Sequence, residues 1–165
     1  MAEREKAGHK LLVSLTIIVA CGAMSSQRLA SAQSHTEAVT VGNFIAKQMR
    51  QERATEYEEG RLLVRGDLNR DGNRDVVVLY TVENPGGTNQ YLQYLADFIY
   101  QRGRLRNLTH KSVGGKNRRA VESVTVEGGK IILETLEYLP ADASCCPSKK
   151  GHVQFILNRK QLKEL

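Results

Sequence analysis

Asp67, Asn69 and Asp71 stand at alternate positions of the chain, Gly72 follows, and Asn73 and Asp75 continue the alternation. Oxygens spaced by two along a tight turn wrap around one point. Calcium takes roughly six to eight oxygens about 2.4 Å away, so these residues in this order point to Ca2+ capture. Asn73 would offer its backbone carbonyl, and Asp75 its side chain directly or through water. The role would be structural, tying a hairpin, because no base or nucleophile stands nearby. The same residues also suit a metal-free turn, since Asn and Asp cap their own backbone and Gly accepts positive φ. Close carboxylates repel one another unless a positive charge offsets them. A cation would do so, and Arg70 and Arg74 could do part of it. An EF-hand would need Glu at the twelfth loop position, which here is Val78, inside an apolar run.

The second chemical feature is Cys145-Cys146, followed by Pro147 and Ser148. Adjacent Cα atoms are about 3.8 Å apart, below the usual ~4.4–6.8 Å of a disulfide. A vicinal disulfide is therefore possible but strained, and it would rigidify its loop. The other readings are a reduced pair holding a soft metal with His152, and pairing between chains. A redox enzyme would more often carry Cys-x-x-Cys at a helix start. His35, His110 and His152 are scattered and form no ligand motif, and no serine sits in a nucleophile elbow. No catalytic residues are assigned.

These groups need elements to position them. Val41, Phe44, Ile45 and Met49 recur at helical spacing after Ser34-His35-Thr36-Glu37, which has the shape of a capping box. The spacing predicts a helix over residues 36–57, stopped by Gly60. From there the period becomes two. Strands are predicted over residues 61–65, 76–82, 91–100, 105–109, 121–126, 131–139, 153–157 and 161–165, with hairpin turns at Gln101-Arg102-Gly103-Arg104, Glu127-Gly128-Gly129-Lys130 and Asn158-Arg159-Lys160. Short turns favour antiparallel neighbours. The expected fold class is α+β, with an N-terminal helix packed on an antiparallel β-meander of about 7–8 strands. Gly86-Gly87 and Gly114-Gly115 read as ordinary loops.

The chain has 165 residues and a net charge of +6, enough for one domain. The excess is mild and spread out, and the richest basic spot, residues 116–119, is short. No nucleic-acid module accompanies it. Residues 1–10 are polar and net positive, and residues 11–20 are nearly all apolar. That run is too short to span a bilayer, which takes about 20 residues, and it fits the core of a signal peptide. Ala30-Ser31-Ala32 suits an ordinary signal peptidase, which would make residues 1–32 a signal segment. Ile18-Val19-Ala20-Cys21 resembles a lipobox instead, with Cys21 lipidated and residues 22–34 a linker. Residues 33–165 would form a single helix-plus-β domain. The protein would be periplasmic or an outer-membrane lipoprotein. It would meet the membrane only through a lipid anchor or an uncleaved signal segment.

The 66–80 stretch, Gly-Asp-Leu-Asn-x-Asp-Gly before a Val-rich strand, resembles the strand–loop–strand calcium loops of FG-GAP and VCBS repeats. It occurs once, so the resemblance reaches the loop and not a propeller. Together with Gln93-Tyr94-Leu95, Val113-Gly114-Gly115-Lys116 and Cys145-Cys146-Pro147-Ser148, it resembles a family of bacterial exported proteins. That resemblance implies export and this order of elements, and it carries over no catalytic residues.

Three functions follow as expectations. The first is an exported, non-enzymatic binding or accessory module, stabilised by Ca2+, whose partner is an envelope protein or ligand and not nucleic acid. The second is an inhibitor or accessory factor of an envelope enzyme, presenting the Cys145–Cys146 loop. The third, ranked last, is a metal-dependent hydrolase using the carboxylates of residues 67–75.

Overall fold

A computed structural model describes the backbone of residues 18–165 and the side chains of residues 34–165. Residues 1–17 of the signal segment therefore lie outside the described residues, as do the side chains of Cys21 and of Ala30-Ser31-Ala32. No described helix is long and apolar enough to cross a membrane. The chain forms two compact units, Met1–Thr36 and Glu37–Leu165.

Among the described residues one α-helix, α1 (Ile18–Glu52), is followed by eight strands: β1 (Thr55–Gly66), β2 (Asp75–Glu83), β3 (Tyr91–Gln101), β4 (Arg104–Gly115), β5 (Ala120–Glu127), β6 (Lys130–Glu137), β7 (Lys149–Asn158) and β8 (Gln161–Glu164), with one 3-10 turn, Pro85–Gly87, between β2 and β3. Every strand pairs antiparallel with its sequence neighbour, except across the β4–β5 junction. The result is two four-stranded meanders, β1-β2-β3-β4 and β5-β6-β7-β8, where the sequence predicts one continuous meander. Each expected hairpin turn forms. Arg102 and Gly103, Gly128 and Gly129, and Arg159 all take the positive φ that such turns require.

The helix boundaries differ from expectation at both ends. α1 runs straight through residues 34–37, so Ser34 caps nothing. It ends at Glu52 rather than near Gly60. Arg53 turns left-handed (φ 49°), and the Ala54 amide bonds back to the Met49 carbonyl at 3.0 Å. This is a Schellman-type stop with arginine where glycine is usual, so composition gave no warning of it. Gly60 instead lies in β1, at the irregularity between Tyr57 and Leu62 where the register with β2 shifts.

Two apolar clusters hold the second unit. One lies between the sheets, with Val77, Leu79, Leu95 and Val113 meeting Val124, Ile131, Leu133 and Phe155. The other lies on the opposite face of the first sheet, where Val76, Val78, Tyr80 and Phe98 gather with Val41 and Ile45 of α1. β2 is consequently buried on both faces and reads as an unbroken apolar run. β6 alternates between buried and less buried positions.

Two small features join the sheets. A Cβ on Gly66 would overlap the Val126 side chain of β5, so glycine is required for this close approach. Gln93 of β3 acts as a substitute strand: its amide donates to the Val121 carbonyl at 2.8 Å and accepts the Val121 N–H at 2.7 Å. Gly114 and Gly115, read from sequence as loop residues, lie in β4 beside this clamp. A Cβ on Gly114 would sit 2.6 Å from Gln93 Oε1.

Candidate functional site

The 67–75 loop joins β1 to β2. Its side chains fold back on its own backbone. Asp67 accepts the Asp71 amide at 3.1 Å and the Gly72 amide at 2.9 Å. Asn69 Oδ1 also accepts the Asp71 amide, at 3.0 Å. Asp71 accepts the Asn73 amide at 2.8 Å and the Asn69 side-chain N–H at 2.9 Å. Those two donors, the Asn73 amide first, hold the Asp71 carboxyl below the usual carboxylate range. Arg70 and Gly72 carry the sharp bends with φ of 62° and 84°.

Asp75 leaves this group. It is fully buried, and its two oxygens accept the Leu68 amide at 3.0 Å and the Tyr100 amide at 3.1 Å. It thus closes the base of the loop and ties it to β3. Burial pushes its carboxyl up despite these two donors, and the charges of Asp71 and Asp67 add to the rise. Arg70 donates to the Gly128 carbonyl of the β5–β6 turn at 3.3 Å. Among the described residues, neither Arg70 nor Arg74 forms an ion pair with the loop. Nor do three or more His, Cys, Asp or Glu side chains converge there on a single metal position. Asp67, Asn69 and Asp71 thus keep side-chain lone pairs beyond these contacts, and the Asn73 carbonyl expected from the sequence lies in the same turn.

Behind the loop lies a buried residue outside the 67–75 motif. Asp97 of β3 is fully buried, and neither of its oxygens has a hydrogen-bond partner. It pairs across the ladder with Val77, on the face that looks toward the second sheet. Burial pushes its carboxyl up to about 7, and the Asp75 charge adds to this. The signal was present in the sequence: an aspartate in the apolar stretch Tyr94-Leu95-Ala96-Asp97-Phe98-Ile99-Tyr100.

The cysteine loop is built differently. Cys145 and Cys146 lie at disulfide-bonding distance as adjacent residues. Asp142 organises the loop by accepting the Leu139 amide at 2.8 Å, the Ser148 amide at 3.0 Å and the Ser148 hydroxyl at 2.8 Å. The Leu139 and Ser148 donors hold its carboxyl low. The Tyr138 hydroxyl donates to the Ser144 carbonyl at 2.7 Å, and the Cys146 amide to the Ala143 carbonyl at 2.9 Å. Cys145 lines a concavity of about 260 Å3 with Glu83, Tyr91 and Lys116 among its walls.

On the helix side of the first sheet, His110 is half-buried. Its Nε2 lies 2.7 Å from the Tyr80 hydroxyl, and its ring stacks on Tyr94 at 4.5 Å. The Tyr94 hydroxyl donates to Glu52 of α1 at 3.2 Å. Burial lowers the His110 pKa and raises that of Tyr80. Burial, then the Glu52 charge, pushes Tyr94 up to about 12. Nearby, Glu37 of α1 is 3% exposed, accepts the Tyr100 hydroxyl at 2.9 Å and pairs with Arg65 at 2.7 Å. The residue read from sequence as half of a capping box is thus a buried link between the helix, β1 and β3. The histidine with the most developed surroundings has its ring nitrogen engaged by a core tyrosine. Compared with protein-family models, with curated proteins and with solved structures, the chain matches none.

Proposed function

We propose that this chain is an exported, non-enzymatic binding or accessory module whose 67–75 loop takes up Ca2+ as a structural ion. The observation that carries the reading is the electrostatics of the loop. Asp67, Asn69 and Asp71 crowd their oxygens into one turn, and no arginine of the loop pairs with them. A hard cation is the natural complement to such a set. Asp67, Asn69 and Asp71 would hold it, with main-chain oxygens and water completing the shell. The ion would stiffen the turn between β1 and β2, and Asp75 would remain a backbone anchor. The non-enzymatic part of the reading is supported by His110 and Asp97, two titratable side chains shifted by burial: one is engaged with Tyr80 and the other sealed between the sheets. Export to the periplasm, or to the outer membrane through a lipidated Cys21, rests on the N-terminal 32 residues.

A second reading draws on the cysteine loop. Asp142 and the disulfide preorganise it, and a preorganised loop loses less freedom on docking. That suits an inhibitor or accessory factor of an envelope enzyme.

The test is a thermal melt of the full chain in calcium and in chelator, beside an Asp67→Asn/Asp71→Asn variant. A ligand that binds only the folded state adds about 2.7 kcal/mol at a hundredfold excess over Kd. A calcium-dependent rise of several degrees, absent in the variant, is expected. Coincident melts in the two buffers would reduce the loop to a self-capped turn.

A further inference from the structure

The end of the second sheet carries a concavity of about 770 Å3 at the β7–β8 turn, lined by Lys111, Arg159, Lys160, Lys163 and their polar neighbours. No carboxylate lines it. Among the described residues, none of the four cations has an ion-pair partner, although Arg119 nearby is paired with both Glu137 and Glu164. Lys111 is the built part of the site. It is half-buried, its ammonium donates to the Leu162 carbonyl at 3.3 Å, and it lies 5.3 Å from the centre of the Phe155 ring. Phe155 is fully buried and belongs to the core between the sheets, so Lys111 is carried on a fixed base. Arg159, Lys160 and Lys163 stand exposed around it. Arg159 takes a positive φ (57°) at the tip of the turn, where L residues other than glycine are uncommon.

Four like charges around one hollow repel each other, and no carboxylate lines it to offset them. The size falls within the roughly 300–1,000 Å3 of ordinary ligand sites, but the lining is cationic rather than apolar. We propose that this concavity is a binding site for a multiply charged, phosphate-bearing anion. A single phosphate carries at most about two negative charges at neutral pH, so a diphosphate or two adjacent phosphates match the four cations better. Lys111 would act as the fixed contact at the floor, and the exposed cations would close around the rim. The same chemistry is offered by a free diphosphate and by the headgroups of an anionic lipid surface. The proposal stands apart from the calcium reading, because it uses the β7–β8 turn and Lys111 of β4 rather than the 67–75 loop, and cations in place of carboxylates.

The experiment uses the full chain at low ionic strength with inorganic pyrophosphate as probe, read by calorimetric titration. Lys160→Gln/Lys163→Gln changes two exposed side chains and leaves the core untouched. Lys149→Gln/Lys150→Gln, at the far end of β7, removes the same charge elsewhere. Pyrophosphate should bind the wild type and the control alike, weaken at least tenfold in Lys160→Gln/Lys163→Gln, and weaken again in 0.5 M salt. Lys111→Gln should give a loss as large with an unchanged melting temperature in the absence of probe. Vesicles of phosphatidylglycerol then separate the sources. Binding that pyrophosphate displaces and that the rim variant loses assigns the site to lipid headgroups. Vesicle binding that the rim variant keeps assigns it to a soluble anion. Equal pyrophosphate affinity in the rim variant and the control, or no binding to the wild type, would overturn the proposal.

Discussion

The two sheets have the same topology and opposite surroundings. The first buries side chains on both faces: one meets the second sheet, and the other gathers with Val41 and Ile45. The second has one covered face, and the other carries Glu122, Lys130, Glu134 and the charged turn at residues 159–160. A meander therefore does not dictate what its residues can do. A doubly covered sheet can hold a titratable side chain away from water and so shift it, as Asp97 and His110 are shifted. A singly covered sheet leaves its charges solvated, where surface binding becomes available.

The comparison is broken most forcefully in the two central strands. Val78→Asn places an amide on the helix-facing side of β2, where nothing can pair with it. A loss of about 3–5 kcal/mol is expected, read as a fall in the denaturant midpoint. Glu134→Asn, on the open face of β6, should stay within about 0.5 kcal/mol. Near-equal losses would mean that the two sheets are not covered as described.

Asp97 sharpens the comparison through pH. In the fold its carboxyl stays protonated up to about pH 7, whereas in the unfolded chain it ionises near ~3.9. Between these values the folded chain holds one proton more, so stability falls as the pH rises. The full penalty applies above pH 7 and disappears below about pH 4. Asp97→Asn, of the same shape and always neutral, should remove that slope. It should be more stable than the wild type at pH 8, by up to about 4 kcal/mol, and no more stable at pH 4. Parallel stability–pH curves for the two proteins would refute the assignment.

The junction between the sheets gives the smallest effect. Gln93→Leu keeps the bulk but leaves the Val121 N–H and carbonyl without their partner. A loss of about 1–3 kcal/mol is expected, together with faster hydrogen exchange at the Val121 amide. Unchanged protection of that amide would show that the Gln93 clamp contributes nothing to holding β5.

Strand positions were legible from residue order, because period-two patterning and turn residues act locally. Glu127-Gly128-Gly129-Lys130 can hardly do anything but turn. The candidate calcium loop was legible for the same reason. The helix end was not: Arg53 takes a conformation that its residue type does not advertise, stabilised by the Ala54-to-Met49 bond. Asp97 and the Tyr80–His110 contact were not assigned either, and Glu37 was read as a cap rather than as a buried link. Each owes its character to partners or burial supplied by strands and helix distant in the chain.

What the amino-acid order determined by itself is the set of hairpins, their turn chemistry and the run of oxygens between β1 and β2. These depend on φ preferences, side-chain caps and alternation within a few residues. Only the tertiary structure decided that the eight strands divide after β4, that Gln93 bridges the division, and that one aspartate is sealed inside while four cations gather at an open edge. Those outcomes depend on which apolar faces find each other, and burial is a property of the assembled chain rather than of any segment of it.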